Sequence, residues 1–396
     1  MMTRPLAGLK VLDLSRYIAG PHCATVLGDL GADVVKVERP QLGDDTRTFK
    51  PELGGESLYF LMFNRSKRGM TLDFRNPQAQ ELLRRLAREA DVLVENFRPG
   101  TMERMGCGWE ELHAINPRLV MARISGFGQN NSMSSRPCFD GVAQATTGLM
   151  DLTGDPDGPP MMAGTFVVDY STALYAAIGI LAALQNRERT GTGEMVDVSL
   201  MGSAASLLMT ALPECLLLGE PPTRRGNRDR YTAPANVFRA ADGAWMLVQA
   251  GNEQLFKRFA AMIGRPELLD DPRFATLAAR MENVEAAEAL VAGWVAGLAA
   301  DEAVRRLGEA EIPCAKVSTV SDIAANAYMR EAGNIIDVEH PAVGPVPMSG
   351  PVVRVGSGRH AVEPAPTLGQ HTDEVLADWL KLTPDDVAVL RSNRAV

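Results

Sequence analysis

A single aspartate, Asp169, stands between two apolar stretches of the chain. Residues 163–168 carry no charge before it, and the twelve residues 173–184 carry none after it. An aspartate just before an apolar helix is a favoured N-cap, because its carboxylate accepts a backbone N–H of the first turn. The same position facing the helix dipole would keep a reactive carboxylate ionised and aim it into a cleft. The pattern is compatible with both roles.

Carboxylates are the candidate nucleophiles of this chain, and Asp169 and Asp140 are the candidate catalytic residues. The sequence contains no G-x-S-x-G, H-E-x-x-H or Walker pattern, and its five histidines are interpreted as structural or exposed. An aspartate with a pKa of about 3.9 is ionised at neutral pH and can attack an activated acyl group such as a thioester. Because the resulting anhydride hydrolyses in water, we expect a dry site with backbone N–H groups facing the oxyanion.

Composition predicts a soluble, cytoplasmic protein of two or three domains. The 396 residues are 46% hydrophobic and 22% charged, and no signal core or long uncharged apolar run is present, which argues against a membrane partner. Five cysteines without C-x-x-C spacing predict neither a disulfide framework nor a metal site. A net charge of -9 argues against nucleic acid, whereas basic groups such as residues 65–68 suit a small anionic ligand or a solvated face.

The first forty residues predict a β-α-β unit. Residues 10–14 form an apolar strand, an amphipathic helix follows as far as Leu30, and residues 32–38 form the next strand. The turn from Ala19 has one glycine where the dinucleotide fingerprint needs three, so NAD binding is not predicted. Further alternation places residues 96–100 at the carboxyl end of a strand, where open α/β sheets bind ligands.

Changes in composition predict the domain boundaries. Residues 1–200 are expected to form the N-terminal part of a large α/β domain, and residues 201–232 a linker and mobile loop. Residues 233–330 form a smaller α+β domain that contains a hairpin around Asp242-Gly243. Residues 331–396 return to complete the large domain.

An ordered series of motifs resembles the class III coenzyme A transferases, the family of formyl-CoA transferase and the carnitine CoA-transferases. The motifs, which span nearly the whole chain, are Pro5-Leu-x-Gly-x-x-Val-Leu-Asp-Leu14, Ala19-Gly-Pro21, Leu30-Gly-Ala-Asp-Val-Val-Lys-Val-Glu-Arg39, Asn64-Arg-Ser-Lys-Arg68, Val94-Glu-Asn-Phe-Arg-Pro-Gly100, Arg136-Pro-Cys-Phe-Asp140, Asp169, Gly179-Ile-Leu-Ala-Ala-Leu184, Thr190-Gly-Thr-Gly193, Ile312-Pro-Cys314 and Gly369-Gln-His-Thr372. Residues 224–237 depart from the pattern, because the glycine-rich loop of formyl-CoA transferase cannot be placed there.

The resemblance implies a Rossmann-like large domain built from both chain ends, a smaller α+β domain and an interlocked homodimer. It also implies that Asp169 attacks an acyl-CoA, giving an aspartyl anhydride and free CoA thiolate. The thiolate then forms an aspartyl-CoA thioester, and the acceptor carboxylate takes CoA through a second anhydride without a metal.

The resemblance also carries over binding residues by position. Coenzyme A is a substrate and product in this chemistry, and several of its expected contacts are basic, as its phosphates require. The expected CoA-binding residues are Arg16, Ala19, Arg39, Leu72, Arg75, Asn96, Phe97, Arg104 and Met105. The expected substrate-pocket residues are Phe139, Gly226 and Asn227.

Two alternative functions are an α-methylacyl-CoA racemase and a non-catalytic acyl-CoA binder. Racemases of this fold move a proton with a histidine that aligns with Phe139, and a phenylalanine cannot move a proton. The sequence does not identify the acids. Four arginines within residues 224–230 favour a dicarboxylate, with succinyl-CoA as a candidate donor.

Overall fold

The chain is described by a computed structural model that covers residues 4–356 and 361–396. These residues form two compact units. Unit 1 contains Met1–Leu149, Met162–Leu212 and Ala327–Val396, and unit 2 contains Met150–Met161 and Pro213–Asn326. The first and last parts of the chain therefore belong to the same unit.

The strands of the described residues, in chain order, are β1 (Lys10–Asp13), β2 (Asp33–Glu38), β3 (Glu52–Leu53), β4 (Glu56–Ser57), β5 (Lys67–Thr71), β6 (Val92–Glu95), β7 (Val120–Ser125), β8 (Met195–Ser199), β9 (Ala235–Arg239), β10 (Trp245–Gln249), β11 (Cys314–Lys316), β12 (Ile335–His340) and β13 (Gly344–Ser349).

The α-helices are α1 (Ala19–Asp29), α2 (Leu58–Phe63), α3 (Pro77–Glu89), α4 (Thr101–Arg104), α5 (Trp109–Ile115), α6 (Asp140–Thr147), α7 (Val167–Thr190), α8 (Leu200–Ser206), α9 (Ala211–Leu218), α10 (Glu253–Met262), α11 (Leu277–Glu282), α12 (Val284–Val295), α13 (Ala300–Glu309), α14 (Val320–Ala325), α15 (Ala327–Glu331), α16 (Thr372–Leu380) and α17 (Pro384–Ser392). Two short 3₁₀ helices are Asp45–Thr48 and Pro266–Leu269.

A six-stranded parallel sheet in the order β5-β2-β1-β6-β7-β8 lies at the centre of unit 1. Numbered within the sheet, this order is 3-2-1-4-5-6, that of a doubly wound nucleotide-binding fold. The α/β prediction with a parallel sheet is confirmed. Because the order reverses between β1 and β6, the carboxyl ends of these two strands flank a crevice in which such folds bind ligands.

Helices cover both faces of this sheet. On one face α3, α5 and α16 bury residues such as Leu86 and Leu112, and on the other α1 and α7 bury Leu27 and Ile180. Helix α3 begins as its sequence predicts, with Pro77 in the first turn. The central strands β1, β6 and β7 are buried on both faces, which explains their largely apolar sequence.

The C-terminal segment joins unit 1 at strand β5. The Nδ1 atom of His371 accepts the N–H of Gly69 at 3.0 Å, and the N–H of His371 donates to the Gly69 carbonyl at 2.7 Å. Next to it, the hydroxyl of Thr372 accepts the N–H of Thr71 at 3.2 Å. These bonds satisfy the backbone groups of the strand at the edge of the sheet.

Helix α7 carries Asp169. By length and composition alone α7 could cross a membrane, with 24 residues and a mean hydropathy of 1.7 over its most apolar stretch, and the bent pair α8 and α9 passes the same test. In unit 1, α7 contacts α1, β7 and β8, and it buries small residues such as Ala173 and Ala176 against them. Its apolar residues therefore contribute to the core of this unit.

Unit 2 contains a three-stranded antiparallel sheet in the order β11-β10-β9. The predicted hairpin around Asp242-Gly243 is confirmed, because β9 and β10 pair across it. Helices α10 and α12 pack Phe256, Phe259 and Val291 into its core. Extended backbone at Asn326 separates the short helices α14 and α15.

Candidate active site

Asp169 is not the N-cap of α7. The helix begins at Val167 after Phe166, whose side chain makes no capping bond, so Asp169 is the third helical residue. The carboxylate of Asp140 performs the capping role, since its Oδ2 accepts the N–H of Val168 at 2.7 Å and that of Asp169 at 3.0 Å. The sequence-based expectation of a self-capping Asp169 is therefore corrected, because a more distant carboxylate satisfies the free N–H groups of the first turn.

Asp140 is held by its own helix. It is buried at the first position of α6, and its Oδ1 accepts a hydrogen bond from Gln144 one turn later. The Oε1 of Gln144 accepts the N–H of Ala163 at 3.0 Å, which ties the segment before α7 to α6. Asp140 lines a different cavity, of about 760 Å³, from the one that contains Asp169. These contacts give Asp140 a positioning role toward the Asp169 backbone.

The Asp169 carboxylate is partly buried, and in the described part of the chain it accepts no hydrogen bond. Burial, together with the negative charge of Asp140, raises the pKa of Asp169 to about 7. This shift runs against the expectation of a fully ionised carboxylate at neutral pH, because desolvation and the like charge both favour the protonated form.

The cavity that contains Asp169 opens at the point where the sheet order reverses. It encloses about 270 Å³ and is lined from the ends of β1 and β6, from residues 124–126 and 134–139, and from α7 and α8. It brings together six of the residues predicted from the sequence: Arg16, Ala19, Asn96, Phe97, Phe139 and Asp169. Residues distant in sequence therefore meet at the ligand crevice expected for this topology.

Asn96 fixes the loop that follows β1. Its Oδ1 accepts the N–H of Arg16 at 2.8 Å, and its Nδ2 donates to the carbonyl of Arg16 at 2.6 Å. Helix α1 begins beside this loop without a side-chain cap, and its first residue, Ala19, lines the cavity. Gly20 permits the close approach, because a Cβ there would lie 2.2 Å from the Cβ of Ser15.

Arg16 and Arg39 share one carboxylate. Asp45 forms an ion pair with Arg16, and its other oxygen lies 3.4 Å from Arg39. A second small cavity, of about 70 Å³, is lined by both arginines together with Phe74 and Phe97, whose rings meet edge to face at 6.0 Å. A basic pair beside an aromatic surface can bind the phosphates and the base of a nucleotide.

A network of buried charged side chains supports the loop that follows β1 and carries Arg16. Lys36, with no solvent exposure, donates to Asp44 at 2.8 Å and lies 3.9 Å from Asp13, which also accepts from Lys67 at 2.9 Å. Burial opposes the charge on Lys36, but Asp13 and Asp44 outweigh it and raise the pKa of Lys36. Asp44 accepts the N–H of Tyr17 at 3.3 Å, so the network positions the backbone of the cavity wall.

The other predicted contacts lie elsewhere. Leu72 is buried in the core beyond β5, Met105 packs against that core, Arg75 is exposed, and Arg104 bonds Thr101 at the end of α4. Arg75, Arg104 and Met105 do not line the Asp169 cavity or the smaller cavity at Arg39. Gly226 and Asn227 belong to unit 2, where the N–H of Gly226 donates to the Gly154 carbonyl at 3.0 Å.

The lining residues that sequence reasoning did not select include Tyr17, Arg98, Ser134 and Arg136. Tyr17 has a positive φ of 67° and its ring packs edge to face on Phe139 at 5.4 Å. Tyr17 and Arg98 could have been selected from the sequence, because each directly follows a predicted site residue. Across the described residues, no group of three or more His, Cys, Asp or Glu side chains is arranged to hold a metal ion.

Comparison with known proteins gives a consistent result over the whole chain. Residues 6–372 match CoA-transferase family III. The succinyl-CoA--D-citramalate CoA-transferase of Chloroflexus aurantiacus is 38% identical over 395 residues, which are 99% of this chain and 98% of that protein. The acetyl-CoA:oxalate CoA-transferase of Acetobacter aceti is 40% identical over 333 residues, which are 84% of this chain and 85% of that protein.

A solved structure is similar at the level of the fold and of the sequence. The crystal structure of a CAIB/BAIF family protein from Brucella suis aligns with a TM-score of 0.84 and 36% identity, covering 96% of this chain and all of that one. The parallel sheet, the crevice with its basic rim and the match along residues 6–372 agree with one another. The chain belongs to CoA-transferase family III.

Proposed function

We propose that this enzyme transfers CoA from an acyl-CoA donor, in the first instance succinyl-CoA, to a dicarboxylic acid through covalent intermediates on Asp169. The observation that carries the proposal is the Asp169 carboxylate. It lies in the cavity at the point where the strand order reverses, and it accepts no hydrogen bond from the described residues. A carboxylate without such bonds keeps its lone pairs available for attack. Both similar transferases named above act on acids with two carboxyl groups, which supports the dicarboxylate class.

The reaction begins when an Asp169 oxygen attacks the thioester carbonyl carbon of the donor. The carbon–sulfur bond breaks, CoA leaves as a thiolate, and an aspartyl anhydride remains. The thiolate then attacks the aspartyl carbonyl, which releases the donor acid and leaves an aspartyl-CoA thioester. The acceptor carboxylate displaces the thiolate to form a second anhydride, and the thiolate attacks the acceptor carbonyl to give the new acyl-CoA and free Asp169.

Residues around Asp169 would serve these steps by binding and positioning. Arg16 and Arg39 are placed to bind the phosphates of CoA, and Asn96 and Phe97 form the adjoining wall. The backbone N–H groups at the start of α1 are the candidates to stabilise the oxyanion of each tetrahedral intermediate. Asp140 holds the first turn of α7 and thereby fixes the direction of the nucleophile.

The proposal includes a homodimer. Several apolar residues are highly exposed in the single chain, including Met209 at 78% and Leu217 at 81%, and such surfaces commonly mark subunit interfaces. Sedimentation equilibrium should give about twice the 42.7 kDa mass of the chain. A monomeric mass at micromolar concentration would contradict this part of the proposal.

Intact-mass spectrometry of the enzyme incubated with succinyl-CoA tests the covalent step. We expect an adduct that hydroxylamine removes, and we expect both the adduct and turnover to be lost in Asp169→Ala. A matched control is Asp373→Ala, which changes an exposed carboxylate on α16 and should behave like the unmodified enzyme. Full turnover by Asp169→Ala would disprove the role of Asp169.

A further inference from the structure

Two guanidinium groups in the Asp169 cavity have no partner. Arg98 and Arg136 both line this cavity, and within residues 4–356 and 361–396 neither side chain makes a hydrogen bond or an ion pair. The third arginine of the lining, Arg16, is already paired with Asp45. Asp169 is the single carboxylate among the lining residues, so the described cavity carries more positive than negative charge.

Arg136 belongs to the segment that also positions Asp169. It lies four residues before Asp140, whose carboxylate caps α7. The base of the segment is held close to β7, because a Cβ on Gly126 would lie 2.3 Å from the Cβ of Cys138. The N–H of Arg136 donates to the carbonyl of Met133 at 2.9 Å, so the backbone that carries the guanidinium is itself in a hydrogen-bonded turn. Arg136 therefore lies in the same segment as Asp140, the residue that caps the helix carrying Asp169.

Arg98 belongs to the other wall of the cavity. It follows Asn96 and Phe97, which come directly after β6, and Phe97 also lines the small cavity at Arg39. In the proposed reaction this wall binds CoA. Arg98 is thus placed for the CoA moiety, and Arg136 for the group that becomes attached to Asp169.

The arginines that the sequence suggested for a dicarboxylate are mostly occupied within unit 2. Arg224 pairs with Asp151 at 2.7 Å, and Arg228 binds both oxygens of Glu288 at 2.9 and 2.8 Å. These bonds use the planar donor sets with which the two guanidinium groups would bind a substrate carboxylate. The unpaired Arg136 is the better candidate.

We infer that Arg136 binds the second carboxylate of a dicarboxylic acyl group or acceptor and so selects dicarboxylates over monocarboxylates. The inference rests on the proposed function, because it assumes that the acid reacts at Asp169. A guanidinium and a carboxylate form two parallel, charge-assisted hydrogen bonds, which a monocarboxylate of the same length cannot supply. A site built around such a group rejects the analogue that leaves it unpaired.

The experiment measures kcat/KM for two acceptors of equal length, glutarate and valerate, with one acyl-CoA donor. We expect Arg136→Gln to lower the glutarate-to-valerate ratio roughly fivefold, at the upper end for an exposed ion pair, because Arg136 is exposed. Arg136→Lys should restore part of the ratio, since lysine keeps the positive charge but cannot donate two parallel hydrogen bonds to a carboxylate. Because the Arg136 side chain makes no hydrogen bond or ion pair within the described residues, its variants should keep the wild-type melting temperature.

Two matched variants complete the test. Arg98→Gln should leave the ratio unchanged, even where it weakens both reactions through CoA, and Arg391→Gln on the exposed face of α17 should also leave it unchanged. An unchanged ratio in Arg136→Gln, or an equal loss with both acids, overturns the inference alone. Failure of the unmodified enzyme to transfer CoA to any acid would instead overturn the proposed function.

Discussion

In the proposed reaction Asp169 must be deprotonated to attack a thioester, yet its surroundings favour the protonated carboxyl group. Burial and the charge of Asp140 raise its pKa to about 7. In the proposed reaction the same burial would keep water from the anhydride, and poor solvation of the ionised carboxylate would make it a better nucleophile. Reactivity and ionisation are therefore opposed at this residue, and the operating pH decides the balance.

The pH dependence of the reaction should report this carboxyl group. Since only the deprotonated form attacks, kcat/KM for the acyl-CoA should fall tenfold per pH unit below about 7 and reach a plateau above it. Asp140→Asn removes the neighbouring charge but keeps an oxygen that can accept the N–H groups of Val168 and Asp169. Its midpoint should move to lower pH, and a midpoint that stays or rises would contradict the assigned cause.

Asp169 should also lower the stability of the fold at neutral and alkaline pH. Its pKa is raised on folding from about 3.9 in the unfolded chain, so the folded protein binds the proton more tightly. The associated stability is fully present below pH 4 and is lost as the pH rises through about 7. Asp169→Asn removes this loss, so its melting temperature should exceed that of the unmodified protein at pH 8. Calorimetry at pH 5 should show a smaller difference, and an equal difference at both values would refute the argument.

At the scale of elements, the approach of α1 to the end of β1 depends on Gly20. A methyl group there would overlap the side chain of Ser15, so Gly20→Ala should destabilise the protein by about 1–3 kcal/mol. It should also lower kcat/KM, because Asn96 and Arg16 lie at the same junction. The matched control is Gly308→Ala on α13, where the added group meets open space and should stabilise by about 0.5–1 kcal/mol. Urea denaturation should show a lower unfolding free energy in Gly20→Ala and a higher one in Gly308→Ala.

The buried charge network around Lys36 leads to a second prediction at the scale of elements. Lys36→Met leaves Asp44 buried without its cation and Asp13 with Lys67 alone, so it should cost roughly 3–5 kcal/mol of unfolding free energy. The exposed pair of Lys50 and Glu52 provides the comparison, and Lys50→Met should cost less than about 1 kcal/mol. Equal losses in urea denaturation would show that the buried pair does not support the fold as described.

For the whole molecule, CoA binding should be coupled to folding. A ligand that binds only the folded chain stabilises it by about 2.7 kcal/mol at a hundred times its Kd. Thermal denaturation with free CoA should therefore show a raised melting temperature, and Arg39→Gln should reduce the increase at a fixed CoA concentration. Arg391→Gln, far along the chain on α17, should keep the full increase. An increase that Arg39→Gln leaves unchanged would place the CoA phosphates elsewhere.

Much of the element structure follows from local sequence. The apolar runs in β1, β2 and β6 and the proline at the start of α3 predict these elements, because burial and the fixed φ of proline act over a few residues. The alternation of strands and helices also predicts a parallel sheet. Asp169 is conspicuous in the sequence because its carboxylate interrupts an apolar context.

Other properties depend on contacts between distant residues. Asp140, rather than Asp169, caps α7, and the charge of Asp140 contributes to the raised pKa of Asp169, since both effects require α6 and α7 to meet. The pairing state of the arginines is also tertiary. Arg228 is occupied by Glu288, sixty residues away, whereas Arg136 is unpaired in the described cavity. The sequence by itself determined the elements and the candidate nucleophile; the tertiary structure decided which charges are paired, because ion pairs form between side chains that only the fold brings within reach.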